Sequence, residues 1–126
     1  MLSENDISYG IRGASFKIYN ALGPGLLESV YEYALAYELR NQGYNVNLQV
    51  PLPVIYDGKI LPLRFRIDLQ INNLVIIEVK SVDSLSDLHH KQLLTYLKLS
   101  GIKLGLLINF NTPDLAKSII RIVNKL

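Results

Sequence analysis

The segment Leu74–Lys80 constrains the fold more than any other part of the chain. Apart from Glu78, its residues as far as Val79 are all apolar, and such a run is typical of a central β-strand buried on both faces. Glu78 and Lys80 lie two residues apart, so on a strand they project from the same face. Burying a carboxylate costs on the order of several kcal/mol unless it is paired or binds a cation. The segment therefore indicates either a Glu78–Lys80 ion pair where the strand meets solvent, or a functional site.

Asp68 favours the functional site. It precedes Glu78 by ten residues and lies on the preceding predicted strand. A two-residue turn at Asn72 and Asn73 would put the two carboxylates on opposite faces of a hairpin, because paired residues share a face. A three-residue loop, Ile71–Asn73, or a bulge puts them on the same face, with Asn73 in the left-handed conformation that asparagine tolerates. We expect this odd-length connection.

Two carboxylates on one face predict a site for a hard cation such as magnesium, which prefers oxygen ligands and keeps several waters. A metal held by Asp68 and Glu78 would activate water for hydrolysis of a phosphodiester and neutralise charge in the transition state. Lys80 would orient that water or stabilise the developing charge. The alternative is a surface salt-bridge cluster of the same three residues.

The order of the predicted elements indicates an α/β fold. These elements are helices over residues 5–20 and 26–42, strands over 46–54, 61–71 and 74–79, a helix from a capping box at Ser84 and Asp87 through Leu99, a strand over 103–110, and a final helix or strand after Pro113. Pro51 and Pro53 indicate that the first strand lies at a sheet edge or ends there.

The helix over residues 26–42 carries a further candidate acid. Its predicted apolar stripe comprises Leu27, Val30, Tyr31, Ala34, Leu35 and Leu39. Glu28 lies on or beside this stripe rather than opposite it, which makes it a candidate site residue. The alternative role is that of a first-turn glutamate that interacts with the helix dipole.

The helix predicted from Ser84 through Leu99 carries polar residues on one face. Gln92 and Tyr96 are four residues apart and share a face, with His89 one turn earlier. A buried amide and phenol can orient a lysine, a metal-bound water or a phosphate, whereas an ordinary polar helix edge is the alternative. His89 and His90 are adjacent and point in different directions, so we do not predict a metal site there.

Composition excludes several classes of protein. The chain has 126 residues and no cysteine, with 49% hydrophobic and 19% charged residues. These values predict a single globular domain over residues 1–126 and exclude a disordered chain, a disulfide scaffold and thiolate chemistry. No apolar run is long enough for a membrane span, and the N-terminus lacks a signal-peptide pattern. We therefore expect a cytoplasmic protein with no membrane partner.

The charge is unevenly distributed along the chain. The net charge is only +2, but residues 58–126 hold ten basic and five acidic side chains. This excess suits a polyanionic partner and an ordinary solvated surface about equally well.

Several motifs in this order resemble those of a known superfamily. Asp68 followed by Glu78–Lys80 resembles the Asp…Glu-x-Lys signature of the PD-(D/E)xK nuclease superfamily, with Ile67 in place of the proline that gives the signature its name. Gln92–Tyr96 is similar to the Gln-x-x-x-Tyr motif of its RecB-type branch. Gly25–Tyr31 is similar to the Gly-x-x-Glu-x-x-Tyr motif, GxxExxY, that names a small family within the superfamily.

The resemblance covers residues 23–111 and implies a restriction-endonuclease-like αβββαβ core, with a central mixed sheet flanked by helices and the site at a fork in that sheet. It implies Mg2+ or Mn2+ as cofactor and nucleic acid, in particular DNA, as substrate. The residues implied in the site are Asp68, Glu78 and Glu28 as metal ligands and catalytic acids, Lys80 as the catalytic lysine, and Gln92, Tyr96 and Arg66 as supporting or substrate-binding residues.

Two functions follow from these observations. The first is a metal-dependent nuclease that hydrolyses phosphodiester bonds of DNA, and the intact set of three acids and a lysine favours it. The alternative is a catalytically inactive nucleic-acid-binding or partner-binding module on a nuclease fold. The small size and modest net charge favour this module or an oligomer, such as a homodimer.

Overall fold

In the computed structural model, which describes residues 1–126, a five-stranded mixed sheet is flanked by three helices. The elements are α1 (Glu4–Leu22), α2 (Glu28–Asn41), β1 (Val46–Tyr56), β2 (Lys59–Ile71), β3 (Val75–Lys80), α3 (Asp87–Ser100), β4 (Leu104–Asn109), a short 3-10 helix (Leu115–Ser118) and β5 (Ile119–Val123). The strands lie in the sheet in chain order, and only β3 and β4 run parallel. A parallel pair needs a crossover, which α3 supplies. The α/β fold and its αβββαβ order are confirmed.

The two faces of the sheet carry separate apolar cores. Residues of α1 and α2 pack in the larger core on one face, and residues of α3 pack in the smaller core on the other. β3 serves both, since Val75, Ile77 and Val79 lie in the larger core and Ile76 lies in the smaller one. The prediction of a central strand buried on both faces is thus confirmed.

The connection between β2 and β3 has an odd length, as predicted, but its position differs. Ile71 pairs with Val75, so the loop consists of Asn72–Leu74 instead of beginning at Ile71. Asn72 and Asn73 both have positive φ, 51° and 56°. The positive φ of Asn73 is confirmed. The predicted loop began one residue too early because both asparagines, rather than one, adopt the left-handed conformation and Ile71 stays in the ladder.

The buried face of α2 differs from the predicted stripe. Leu27 is 76% exposed and Val30 is 39% exposed. The buried residues of the helix are Tyr31, Glu32, Leu35, Ala36 and Leu39. Leu27 precedes the first residue of the helix, and Val30 lies outside the face of the helix that packs against the sheet. Glu32, which the predicted stripe did not include, therefore lies on the buried face of the helix.

Helix α3 begins with a different cap from the predicted one. Ser86 Oγ accepts a hydrogen bond from the His89 N–H at 3.4 Å, and His89 Nδ1 accepts one from the Ser86 N–H at 3.1 Å. The predicted box of Ser84 and Asp87 is wrong, because Asp87 is already the first residue of the helix. His90 Nδ1 lies 2.9 Å from the Ser86 carbonyl oxygen. Both histidines therefore contact Ser86 at the N-terminal cap of α3.

β1 and β2 form a long hairpin at one edge of the sheet, which confirms the edge position of β1. Asp57 and Gly58 both have positive φ, 54° and 71°, as a tight hairpin turn requires. None of the helices in the molecule is long and apolar enough to cross a membrane.

Candidate active site

The candidate site lies at a fork, the point where β2 and β3 separate. Their pairing ends at Leu69 and Ile77, and the next residues, Asp68 and Glu78, are connected through side chains instead. The Asp68 N–H donates to Glu78 Oε2 at 2.8 Å, and the Val79 N–H donates to Asp68 Oδ2 at 2.8 Å. The structure thus brings the two carboxylates together, as the odd-length connection predicts. We call this pair the fork carboxylates.

β1 is irregular at the same level of the sheet. Leu48 packs against the larger core and Val50 against the smaller one, so the strand changes face at Gln49, whose φ is 52°. Gln49 Nε2 donates to Glu32 Oε1 at 2.5 Å. A left-handed, non-glycine residue inside a strand is strained, and such strain is concentrated at functional sites. The sequence analysis missed Gln49, since nothing in the sequence marks this change of face.

α2 contributes two acids to the site. Glu28 Oε2 accepts a hydrogen bond from the Ser81 N–H at 3.1 Å, just beyond the end of β3. Glu32, one turn later, is 8% exposed and is the acid bound by Gln49. Glu28 was a predicted site residue, whereas Glu32 was missed. The available signal was the four-residue spacing, which puts both acids on one face of the helix.

The tyrosine of the Gly-x-x-Glu-x-x-Tyr motif fixes the loop that leads into α2. Tyr31 Oη donates to the Gly23 carbonyl at 2.6 Å and accepts from the Leu26 N–H at 3.2 Å. Its ring stacks on Phe110 with centroids 4.3 Å apart. Gly25 has a φ of 94°, which a side chain would strain. The motif therefore positions the start of α2, and with it the helix-borne acids.

The acids at the fork share a low-dielectric environment. Burial, and after it the negative charge of Asp68, raises the pKa of Glu78 to about 8. The same two causes raise the pKa of Glu32 to about 7. Burial also raises the pKa of Asp68. A cluster of this kind favours the uptake of a proton or of a cation.

Lys80 lies half-buried at the end of β3. Its positive charge lowers the pKa values of Glu32, Asp68 and Glu78, yet its Nζ is within 4 Å of no carboxylate. The ion pairs within that distance are Lys17–Glu38 and Lys117–Asp114. A Glu78–Lys80 ion pair, and a salt-bridge cluster that includes Lys80, are therefore absent from the structure.

The other predicted residues lie around the fork at different depths. Tyr96 is buried, and burial together with the charges of the fork carboxylates raises the pKa of its hydroxyl to about 12. Its ring packs against Phe65 at 5.3 Å between centroids. Gln92 is half-buried one turn earlier on α3, and its side chain makes no hydrogen bond to a site residue. Arg66 is exposed on β2, two residues before Asp68.

The acids border a cleft on the α2 side of the fork. It has a volume of about 500 Å³. Its lining residues are Leu26, Leu27, Glu28, Ser29, Glu32 and Ser81. Solvent therefore reaches the helix-borne acids from this side.

The oxygen donors at the fork suit a hard divalent cation. Glu32, Asp68 and Glu78 each accept a hydrogen bond at one carboxylate oxygen, as described above. Magnesium favours such oxygens and keeps waters instead of a cage made entirely of protein. No three acidic side chains lie close enough together to form a metal site made entirely of protein ligands. Glu28 therefore does not form such a site with the fork carboxylates. The residues present fit a cation held by two carboxylates and completed by water.

The chain matches the family model described as the PD-(D/E)XK nuclease superfamily over residues 5–122. It therefore belongs to that superfamily. The resemblance stated from the motifs is confirmed at the level of the superfamily.

One solved structure to which the chain is similar is named "Crystal structure of SSO0001". The TM-score is 0.60 at 23% sequence identity, over 95% of this chain and 62% of that chain. This likeness confirms the restriction-endonuclease-like fold, and the chain spans about 62% of the length of that protein. No curated protein matches the chain to a significant degree.

Proposed function

We propose that this protein is a metal-dependent nuclease that hydrolyses phosphodiester bonds of DNA, with its activity in one domain over residues 1–126. The superfamily membership supports hydrolysis of nucleic acid. The motifs at Gly25–Tyr31 and Gln92–Tyr96 support a finer assignment, to the GxxExxY family and the RecB-type branch.

The fork carboxylates carry the proposal. Asp68 and Glu78 are held by backbone N–H groups at 2.8 Å, with no cationic side chain within 4 Å, and Asp68 is half-buried. Glu78 is only 4% exposed. Keeping uncompensated acids in such a place is costly for a purely structural element. A bound divalent cation supplies the missing positive charge.

Each group in the site has a distinct proposed role. Asp68 and Glu78 bind Mg2+ or Mn2+, and Glu28 or Glu32 acts on the waters that complete its coordination. The cation, when bound, lowers the pKa of water and neutralises the phosphate in the transition state. Lys80, whose ammonium is not held by any carboxylate, orients the attacking water or stabilises the developing charge.

Three further residues act around this centre. Tyr96 and Gln92 on α3 support the fork from the other face of the sheet, and Arg66 binds the substrate backbone. Homodimer formation and a cytoplasmic location stay predictions.

The test is cleavage of labelled single-stranded and double-stranded DNA with magnesium, manganese or EDTA. We expect cleavage by the parent with either metal, none with EDTA, and loss of activity in Glu78→Gln. Glu4→Gln, the same change of charge in the first turn of α1, serves as the matched control and should cleave like the parent.

Cleavage that survives in EDTA, or that Glu78→Gln retains in full, would contradict the proposal. A parent protein that binds DNA without cleaving it under any of these conditions would instead establish the non-enzymatic binding module.

A further inference from the structure

A second cleft lies on the hairpin side of the fork, and one of its two arginines, Arg64, has no role in the site described above. It has a volume of about 590 Å³ and is lined by Gln49, Pro51, Arg64 and Arg66. Both arginines are exposed on the same face of β2, facing Pro53 and Pro51 of β1. The cleft is thus a basic surface without an aliphatic or aromatic floor.

Gln49 links the cleft to the acidic site. It lines the cleft and donates its side-chain amide to Glu32, which lines the cleft on the α2 side. Asp68 follows Arg66 by two residues on the same strand. The basic cleft therefore lies next to the fork carboxylates along β2.

The charges of the cleft have no partner within the protein. Neither Arg64 nor Arg66 lies within 4 Å of a carboxylate, since the two ion pairs of the molecule involve Lys17 and Lys117. The arginines are two apart on a strand, about 7 Å along its axis. Planar guanidinium groups with free donors recognise phosphate in a bidentate manner.

The neighbouring sheet edge argues against a protein strand as occupant. Pro51 and Pro53 lie on the edge strand and have no N–H to donate, so an added strand would meet two missing hydrogen bonds there. The exposed positive charge favours a polyanion.

We propose that this cleft binds the phosphodiester backbone of a nucleic acid strand next to the bond that is cleaved, with Arg64 and Arg66 each contacting a phosphate. The inference rests on the proposed nuclease function and extends it: it adds Arg64, which no motif marks, and it gives the direction in which the substrate leaves the fork. Arg64 is a binding residue and takes no part in the chemical step.

The test measures binding in EDTA, so that it does not depend on cleavage. Fluorescently labelled single-stranded DNA, duplex DNA and RNA of one sequence are titrated with the parent, Arg64→Gln and Arg12→Gln between about 50 and 200 mM salt. Arg12→Gln removes the same charge from an exposed position on α1. Arg64→Lys, which keeps a point charge, is the fourth protein.

We expect Arg64→Gln to weaken binding about tenfold or more, as the loss of a charged hydrogen-bond donor does, and to lower the slope of log K against log salt by about 0.7–0.9. Arg12→Gln should bind within about twofold of the parent, and Arg64→Lys should recover part of the affinity. The comparison of DNA with RNA shows which backbone the cleft prefers. Thermal melting checks that each variant is folded.

Equal weakening by Arg64→Gln and Arg12→Gln would overturn the inference, because the effect would then be one of net charge. Unchanged binding by Arg64→Gln, or a parent that binds none of the three nucleic acids, would overturn it as well. The nuclease function is judged separately by cleavage in magnesium. A protein that binds through Arg64 yet cleaves nothing would support the cleft and contradict the proposed activity.

Discussion

Lys80 is the residue at which a structural and a catalytic role make the most different predictions. A structural partner of Glu78 would leave a buried, unpaired acid when removed, at a cost of about 3–5 kcal/mol. Because no carboxylate lies within 4 Å of its Nζ, we expect Lys80→Met to change the free energy of unfolding by less than about 1 kcal/mol. Turnover should fall about 100-fold or more, since the lysine acts on the transition state. Urea unfolding and single-turnover cleavage measure the two quantities.

Lys80→Arg is the companion variant and should not restore turnover, since a planar guanidinium does not replace a compact ammonium. A folded, metal-binding Lys80→Met protein that cleaves as fast as the parent would refute the catalytic role.

The raised pKa values of Glu78 and Glu32 predict how the stability of the metal-free protein depends on pH. Their folded-state values, about 8 and about 7, lie above the ordinary glutamate value of 4.5. The folded state therefore holds protons that the unfolded state releases. The stabilisation from these protons is complete below about pH 4.5 and is lost as the pH rises through 7 and 8.

Glu78→Gln removes one of these titrations. We expect the variant to gain stability relative to the parent as the pH rises from about 5 to about 8 in EDTA, measured by urea unfolding. A difference between variant and parent that stays constant over this range would show that Glu78 titrates normally.

The sequence predicted the fork carboxylates but not the full set of acids around them. Strand periodicity and the odd loop were enough to put Asp68 and Glu78 on one face. Glu32 was not predicted because a glutamate on a helix is ordinarily solvated. Only the proximity of Gln49 from β1 explains its burial. That proximity depends on a change of strand face that no local pattern encodes.

At the scale of elements, β4 and α3 approach each other closely at Gly105. A Cβ added at Gly105 would lie 2.9 Å from Leu93 Cδ1 and 3.0 Å from its Cγ. We therefore expect Gly105→Ala to destabilise the protein by about 1–3 kcal/mol through overpacking. Urea unfolding measures the change.

Gly13→Ala is the matched control for this prediction. Gly13 is exposed within α1, and a Cβ there would meet nothing within 4 Å. Alanine is the better helix former, so this variant should be about 0.5–1 kcal/mol more stable than the parent. A Gly105→Ala protein at least as stable as the parent would mean that packing at Gly105 is looser than the distances indicate.

Most elements could be predicted from the sequence because their apolar periodicity and the turn residues that separate them are local signals. The cap of α3 and the buried face of α2 could not. Ser84 and Ser86 both precede the helix, and the choice between them depends on where the chain leaves β3. Leu27 and Val30 satisfy the apolar pattern, yet the sheet lies against the face that carries Glu32.

At the scale of the whole molecule, cation binding and folding should be coupled through the same acids. A divalent cation binds the deprotonated carboxylates of the native state alone, so magnesium should raise the melting temperature. The increase should be larger at about pH 8 than at about pH 6, because protons compete at the lower pH. Differential scanning calorimetry with magnesium, and with an equal ionic strength of sodium chloride, measures the effect.

Glu78→Gln should abolish most of this increase. A melting temperature that millimolar magnesium and manganese leave unchanged in the parent would contradict a functional cation site and favour the binding module.

The architecture as a whole was predictable because the order of helices and strands, together with the spacing of Asp68, Glu78 and Lys80, is characteristic of one superfamily. The basic cleft was not, since Arg64 and Arg66 alternate with apolar residues as in any strand with one exposed face. Only the pairing with β1 shows that they share a surface with Gln49.

The identity of spatial and chain order in the sheet has a consequence for biosynthesis. Each strand from β2 onwards pairs with the strand that left the ribosome just before it, so the strand pairings are local in the sequence. Apart from β3, no strand has to wait for a partner that lies beyond a helix. The exception is β3, because α3 must be synthesised before β4. During that interval β3, which carries Glu78 and Lys80, is the edge strand of the incomplete sheet.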